Sequence, residues 1–403
     1  MAFFRSCIFA ALLAAVGLPV VLPAQDAPPE IVELHRRIGV IRDELPAITA
    51  AAEYAADLFT RDTTMRFLVP IKYDAAMRLE LYWHAGGPPD TGDADDPSTH
   101  GLVILPVRSW DGNGFAVAAM VDGYQNQGRP VFVLGSKAGK PGLSVGHWLL
   151  DNGAPSGGAD QADINDAANV IVMWVLYSEI VAAATRHGWE PGIYLSVLMP
   201  FAERNNNAIQ FRMPAGSVPV PAIPAGQLGA AYLTSIDSLL AVETSGEHQA
   251  AVRVAADQLR AQRAAGAHLF VATCTHYLQE SIHRDSVAGP FRPVDLRWDP
   301  AAKLQQYGAK PGDVLVWFSY GSYDCPNIEV AQAFSDAGLK VLPVGETAPP
   351  GNTQGTLLQR LPLAWRLPDA IVRIPFDPQW VAPSSSVDQM VNYFWLKRLV
   401  GTP

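Results

Sequence analysis

The chain carries the same order of segments twice, and this constrains its fold more than any other feature. Ala55-Ala56-Asp57 recurs as Ala255-Ala256-Asp257, and Arg66-Phe67-Leu68-Val69 as His268-Leu269-Phe270-Val271. Leu102-Val103-Ile104-Leu105 recurs as Val314-Leu315-Val316-Trp317, and the run from Gly128 to Gly135 as the run from Gly338 to Gly345. The offset between copies drifts slowly, so insertions and deletions fall in loops and each copy is a complete folding unit. Solenoid repeats are typically ~20–50 residues long, so a period of about 200 specifies two domains. The sequence divides into a leader (1–24), a first domain (25–212), a linker (213–228) and a second domain (229–403). Met213 to Leu228 holds four prolines and two glycines, which exclude a regular element over most of it.

Bulk properties agree with two packed cores. The chain has 403 residues, 49% hydrophobic and 17% charged, more than one core usually supports. A net charge of −10 without a basic run excludes a nucleic-acid backbone as partner. At the N-terminus one cation, Arg5, precedes the apolar stretch Ile8 to Leu22 and then Leu22-Pro23-Ala24. That layout is a secretory signal peptide cleaved after Ala24, which places the mature protein in the periplasm or outside the cell, with no membrane contact after cleavage. The second long apolar run, Val170 to Ala184, contains Ser178 and Glu179 and reads as a buried core helix.

Ile31, Leu34, Ile38 and Ile41 recur at helical spacing, so residues 26–62 form a helical lead-in. Each copy then alternates a short β-rich run, a Gly/Asp/Ser turn and a helical segment. This is the pattern of an α/β fold whose parallel sheet is covered by helices on both faces, here two doubly wound, flavodoxin-like three-layer domains in tandem. In the second copy strands are predicted at 267–272, 313–318, 340–344 and 370–374, and helices at 249–264, 276–288, 326–337 and 386–399.

Ligands of open parallel sheets bind beyond the carboxyl ends of the strands, where helix N-termini converge. The second copy has three polar clusters at such positions: Thr273-Cys274-Thr275-His276, then Ser319 to Asp324 (SYGSYD), then Pro383-Ser384-Ser385-Ser386. With the stretch 313–345, these clusters resemble the sugar isomerase (SIS) domain family, in particular its phosphosugar-binding branch. The resemblance covers most of the chain. It implies an aldose–ketose isomerase or a sugar-binding relative, with no cofactor, and two SIS domains facing each other as a pseudo-dimer. It places Ser319 and Ser322 in a phosphate loop, with Thr273, Thr275, Ser384, Ser385 and Ser386 around it. The family's Ser-x-Ser-Gly order becomes Ser-Tyr-Gly-Ser here, and its glycine-rich first loop becomes Val271-Ala272-Thr273.

His276 and Glu280 lie four apart on one predicted helix and share a face. They supply a ring-opening group and a carboxylate to shuttle a proton between sugar carbons, or else they serve only to bridge helices. His283 lies on the same face, but ligands at i, i+4 and i+7 of one helix stand too far apart for a good zinc site, so no metal is expected. Cys274 and Cys325 follow successive strands and in an oxidising compartment form a disulfide or stay as separate thiols. In the first copy the matching loops carry Lys72 and then Arg108-Ser109-Trp110, two cations for an anionic ligand and a ring face for a sugar; ordinary turn chemistry is the alternative. His276 and Glu280 correspond there to Asp74 and Arg78, so the copies cannot perform identical chemistry. The run Gly135 to Pro141 lacks the spacing and the Ser or Thr of a nucleotide loop and is a turn. Three functions follow: a SIS-type isomerase, a non-catalytic carbohydrate-binding protein with an altered phosphate loop, or a structural role through stacked apolar helices. The partner in the first two is a sugar or sugar phosphate, and a homo-oligomer is compatible with all three.

Overall fold

The computed structural model describes residues 27–82, 84–111, 114–140, 146–155, 161–196, 202–208, 220–273, 276–285, 289–294, 302, 305–319, 327–345, 357–366, 369–376 and 379–401. The leader lies outside them, as do Cys274, Thr275, Ser322 and Cys325.

The first copy opens with helix α1 (Pro29–Arg61), then β1 (Arg66–Val69), α2 (Ile71–Leu81), β2 (Thr91–Asp93), β3 (Gly101–Pro106), α3 (Gly114–Asn126), β4 (Val131–Gly135), β5 (Trp148–Asp151), α4 (Ala162–Arg186) and the short α5 (Ala202–Ala208). The second comprises α6 (Gln227–Glu243), α7 (Gly246–Ala264), β6 (Leu269–Thr273), α8 (His276–Asp285), β7 (Arg292–Pro293), β8 (Val314–Phe318), α9 (Asn327–Asp336), β9 (Lys340–Val344), β10 (Ala370–Arg373), β11 (Trp380–Pro383) and α10 (Ser385–Gly401).

The first sheet is parallel throughout, in the order β2-β1-β3-β4-β5, which is the flavodoxin-like arrangement. The second runs β7-β6-β8-β9, again parallel, and parallel bridges from Val341 to Leu357 and from Val344 to Leu361 fill the fifth position. The two sheets therefore share one topology. The sequence register also matches face for face. Phe67, Leu102 and Phe132 point into the central core, as do their counterparts Leu269, Val314 and Leu342. The intervening Leu68, Val103 and Val131 face the outer layer with α3, while Phe270, Leu315 and Val341 face the outer layer with α9. A one-residue slip in either copy would turn each apolar set the wrong way, and this is why the echo survives in the strands.

The inner faces of both sheets and the helices α1, α4, α6, α7, α8 and α10 share one hydrophobic core. Equivalent helices meet across the middle, α2 on α8 and α4 on α10, so the halves pack as a pseudo-dimer within one chain. Every residue of α4 from Asn165 to Thr185 is buried, as the apolar run predicts. Lys397 on α10 reaches Asp163 on α4 at 2.6 Å, and Arg398 reaches Glu30 on α1 at 2.7 Å.

Two departures from the sequence reading have local causes. The strand predicted at 370–374 forms, but it pairs antiparallel with β11 outside the parallel sheet. Residues 357–361 have taken the fifth strand position, leaving β10 and β11 to dock against the first copy. Helix α7 also starts earlier than predicted, at Gly246, because the Ser245 hydroxyl accepts a bond from the His248 amide and caps it. Within the linker range, residues 220–226 carry no regular element and α6 begins at Gln227.

Candidate functional site

β6 and β8 are adjacent and parallel, with Thr273 beside Phe318, so the loops that follow them emerge at the same edge. Thr273 and Ser319 are brought together there by Gln389 of α10. The Thr273 hydroxyl lies 3.4 Å from Gln389 Oε1, and Gln389 Nε2 lies 3.4 Å from the Ser319 carbonyl. The Ser319 hydroxyl donates to the Val344 carbonyl at 3.2 Å, which ties β8 to β9. Gly345 follows with φ +124°, and a Cβ there would stand 2.5 Å from Ser319 Oγ. The glycine is needed both for the backbone angle and for this approach. Helix α8, which carries His276 and Glu280, starts three residues beyond Thr273 and packs on α2; the side chains of His276 and Glu280 lie outside the description.

Ser384, Ser385 and Ser386 open α10, as predicted for a helix start, and are 1%, 0% and 1% exposed. Their hydrogen bonds go to the chain's own carboxylates. Asp369 Oδ1 accepts from the Ser384 amide at 3.0 Å and the Ser385 amide at 2.8 Å, and Asp369 Oδ2 accepts from the Ser385 hydroxyl at 2.8 Å. The Ser386 hydroxyl donates to Glu80 Oε2 at 2.7 Å, and Glu80 Oε1 accepts from Trp174 Nε1 at 2.7 Å. Asp369 thus occupies the anion position at this helix N-terminus. His84 sits between the two acids, 3.1 Å from Asp369 and 3.4 Å from Glu80, with all three side chains fully buried. Burial lowers the His84 pKa, but the Glu80 charge and the Asp369 hydrogen bond outweigh it and push the imidazole up to about 10. The backbone is strained at the same place, with φ +73° at Asp369 and +60° at Ala382. This cluster joins the two copies, since Glu80, His84 and Trp174 belong to the first and Asp369 and the serines to the second.

A second buried group lies one turn along α10. Asp388 accepts from the Trp365 amide at 2.6 Å, and Asn392 donates to Glu243 at 2.8 Å and to Asp388 at 2.9 Å. His248 contacts Glu243, and its ring lies 2.8 Å from Asn392 Oδ1. Burial pushes the Glu243 carboxyl up to about 7 and, with the nearby Glu243 charge, Asp388 well above its usual range, while burial lowers His248.

The first copy's counterpart edge is filled. Arg108 is paired with Asp166 at 2.9 Å, Ser109 caps a turn by accepting the Asp111 amide at 3.1 Å, and Trp110 is buried with its Nε1 on the Ser136 carbonyl at 2.8 Å. Arg37 from α1 reaches in to Asn165 at 2.6 Å and Gln161 at 2.7 Å. The space left beside Arg108, Ser109, Trp110 and Asn152 is about 10 Å³, enough for one water molecule. Lys72 does not join this group. It is exposed and borders a different cavity, of about 390 Å³, with Tyr73, Met120 and Tyr124 towards α3. Asp74, the counterpart of His276, is a non-helical kink within α2 and caps the turn that follows it by accepting the Met77 amide at 2.9 Å.

Gln389, the His84 cluster and the Glu243 cluster were not among the residues singled out from sequence. Asp388, Gln389 and Asn392 are polar residues on a helix buried on every face from Ser385 to Leu396, and burial of that kind is only visible once both copies are assembled.

No protein-family model matches the sequence, and no curated protein does. Solved structures match over nearly the whole chain. A protein described as a candidate phosphosugar isomerase from Silicibacter pomeroyi DSS-3 superposes with a TM-score of 0.51 at 14% identity, over 92% of this chain and 95% of its own. The C-terminal domain of glucosamine-fructose-6-phosphate aminotransferase from Francisella tularensis gives 0.51 at 11% identity, over 94% and 96%. The chain has the tandem SIS fold. Identity this low carries the arrangement of strands and helices, and within the SIS fold the edge of the second sheet is where Thr273, Ser319 and Gln389 meet.

Proposed function

We propose that this SIS-fold protein is exported and binds a sugar or sugar phosphate at the carboxyl edge of its second sheet. The observation that carries this is the contrast between copies. In the second copy Thr273 stands half-buried beyond β6 with Ser319 and Gln389 fully buried behind it, all three carrying polar groups of the kind that bind sugars, whereas the same edge of the first is filled by Arg37, Arg108, Trp110 and Asn165. Hydroxyls and an amide are the groups that recognise sugar hydroxyls, and strand ends of a doubly wound sheet are where such groups are presented. The sequence adds two further hydroxyls shortly after these positions, Thr275 and Ser322. Export rests on the leader-like residues 1–24.

Thermal unfolding of the mature protein with glucose, fructose, glucose 6-phosphate and fructose 6-phosphate tests binding, since a ligand held by the native state must stabilise it. A rise in Tm with at least one compound, lost in Gln389→Leu, is expected; no shift with any of them overturns the reading.

A second reading adds catalysis. Glu280 and His276 stand on α8, which begins beside Thr273 at the face between the copies. In it Glu280 moves the proton between the sugar's first two carbons and His276 assists ring opening. Interconversion of aldose and ketose phosphates that is lost in Glu280→Gln supports it, and turnover unchanged in that variant removes Glu280 from the mechanism.

A further inference from the structure

The outer layer of the first copy carries a surface that the sugar reading leaves unused. On α3 the uncovered residues are Phe115, Ala116, Ala119, Asp122, Gly123 and Asn126, which recur at helical spacing and form one outward stripe. The outward face of a surface helix ordinarily carries charge, yet Asp122 is the only charged residue of α3. Phe115 is 83% exposed, more than any other large apolar side chain among the described residues. The repeat provides an internal comparison. In the register that matches Gly128 with Gly338, Ala119, Asp122 and Asn126 correspond to Glu329, Gln332 and Asp336, an ordinary polar set. The apolar stripe therefore belongs to the first copy alone, and the fold does not require it.

We infer that α3 is where two copies of this chain meet, with their α3 helices antiparallel across a two-fold axis near Ala119. Three features of the face select a second copy as its occupant. The first is close approach. Ala116, Ala119 and Gly123 are small and share the stripe, and a Cβ added at Gly123 would meet nothing within 4 Å, so another helix can lie directly against them. The second is self-complementary shape. The N-terminal end of the stripe projects Phe115, while its C-terminal half borders a recess of about 390 Å³ with Gly123, Tyr124, Tyr73 and Lys72. Antiparallel pairing centred on Ala119 sets residue 115 of one copy level with residue 123 of the other, so each Phe115 meets the rim of the other copy's recess. The third is charge. Copies of net charge −10 repel each other, and a two-fold contact sets like against like, so a face almost free of charge is the one that can meet itself. At its two ends the signs are opposite. Exposed Asp111 precedes Phe115 by four residues and exposed Lys72 stands at the recess, so pairing brings the acid of one copy towards the base of the other. Asp95 borders the same recess and accepts from the Tyr124 hydroxyl at 2.9 Å. Antiparallel helices also oppose their dipoles. This contact stands independently of the sugar reading.

Sedimentation velocity of the mature protein between about 1 and about 100 µM tests this in the wild type, Phe115→Ser and Ala119→Glu. Expected is a monomer–dimer equilibrium within that range, with a dissociation constant raised at least about tenfold by either substitution. Ala119→Glu sets two carboxylates against each other at the axis. Both side chains are exposed, so a far-UV circular dichroism spectrum equal to that of the wild type separates loss of the contact from loss of the fold. Ala119→Cys gives a second readout: mild oxidation should yield a disulfide-linked dimer that the wild type, with its own Cys274 and Cys325, does not form under the same conditions. A wild type that stays monomeric at about 100 µM overturns the inference. So does a dimer that both substitutions leave intact, because the copies then meet elsewhere. Absence of the Ala119→Cys cross-link overturns the two-fold axis at Ala119.

Discussion

The buried ion cluster between the copies makes a quantitative demand on stability. His84 is raised from its usual 6.5 to about 10 by Glu80 and Asp369. A raised histidine stabilises the fold fully below pH 6.5, and that contribution drains away as the pH climbs through the folded value near 10. At ~1.36 kcal/mol per pH unit the whole effect is on the order of 5 kcal/mol. His84→Gln removes the titration and leaves two buried carboxylates without their cation, a loss of roughly 3–5 kcal/mol for a broken buried pair. For a chain of this size that is about 6–10 °C in Tm at pH 6, taking ~2 °C per kcal/mol. The gap should narrow steadily towards pH 10, because the wild type is then giving up what the variant never had. Differential scanning calorimetry of both proteins from pH 6 to 10 measures it. A gap under about 2 °C at pH 6, or one that stays constant with pH, refutes the assignment of His84 as a charged link between the halves.

Other outcomes follow from the same contacts. Glu243→Gln should flatten the pH profile in the opposite compartment of α10: with its carboxyl raised to about 7, the wild type loses stability as pH rises from 4.5 through 7, by roughly 3 kcal/mol, and the variant should not. Calorimetry at pH 5 and pH 8 reads the difference. Gly345→Ala should cost about 1–3 kcal/mol and abolish ligand binding, since a Cβ 2.5 Å from Ser319 Oγ at φ +124° displaces the site. Gly86→Ala, at φ +78° with a Cβ 2.6 Å from that of Ala370, should weaken docking of the β10–β11 ribbon, seen as faster proteolysis there. Mass spectrometry of the protein recovered from cells making the full chain should give Gln25 as its first residue; retention of residues 1–24 contradicts the proposed export with cleavage.

The fold was legible where packing repeats. Apolar residues at Phe67, Leu102 and Phe132 and at their second-copy partners keep the same inward face, and that periodicity is written into local sequence. What lay hidden depends on contacts across the pseudo-dimer. The three serines at 384–386 read as a ligand loop because hydroxyls at a helix start suit an anion, yet the acid that meets them, Asp369, precedes the helix by a whole hairpin. His84 and Glu80 come from the other copy altogether, about 300 residues away in sequence. In the same way Arg108 and Trp110 carry the chemistry of a binding loop, but Asp166 and Ser136 already engage them, and only assembly shows that the space is taken. Gln389 gave no local signal, because a polar residue on a buried helix is informative only once its neighbours Thr273 and Ser319 are in place.

The central claim is that the second sheet's carboxyl edge is the one that takes a ligand. A crystal structure of the mature protein soaked with glucose 6-phosphate tests it most directly. Expected is one molecule per chain, with its sugar hydroxyls at the second sheet's edge beside Thr273, Ser319 and Gln389. Ligand seated instead beside Arg108 and Trp110 in the first copy would contradict it.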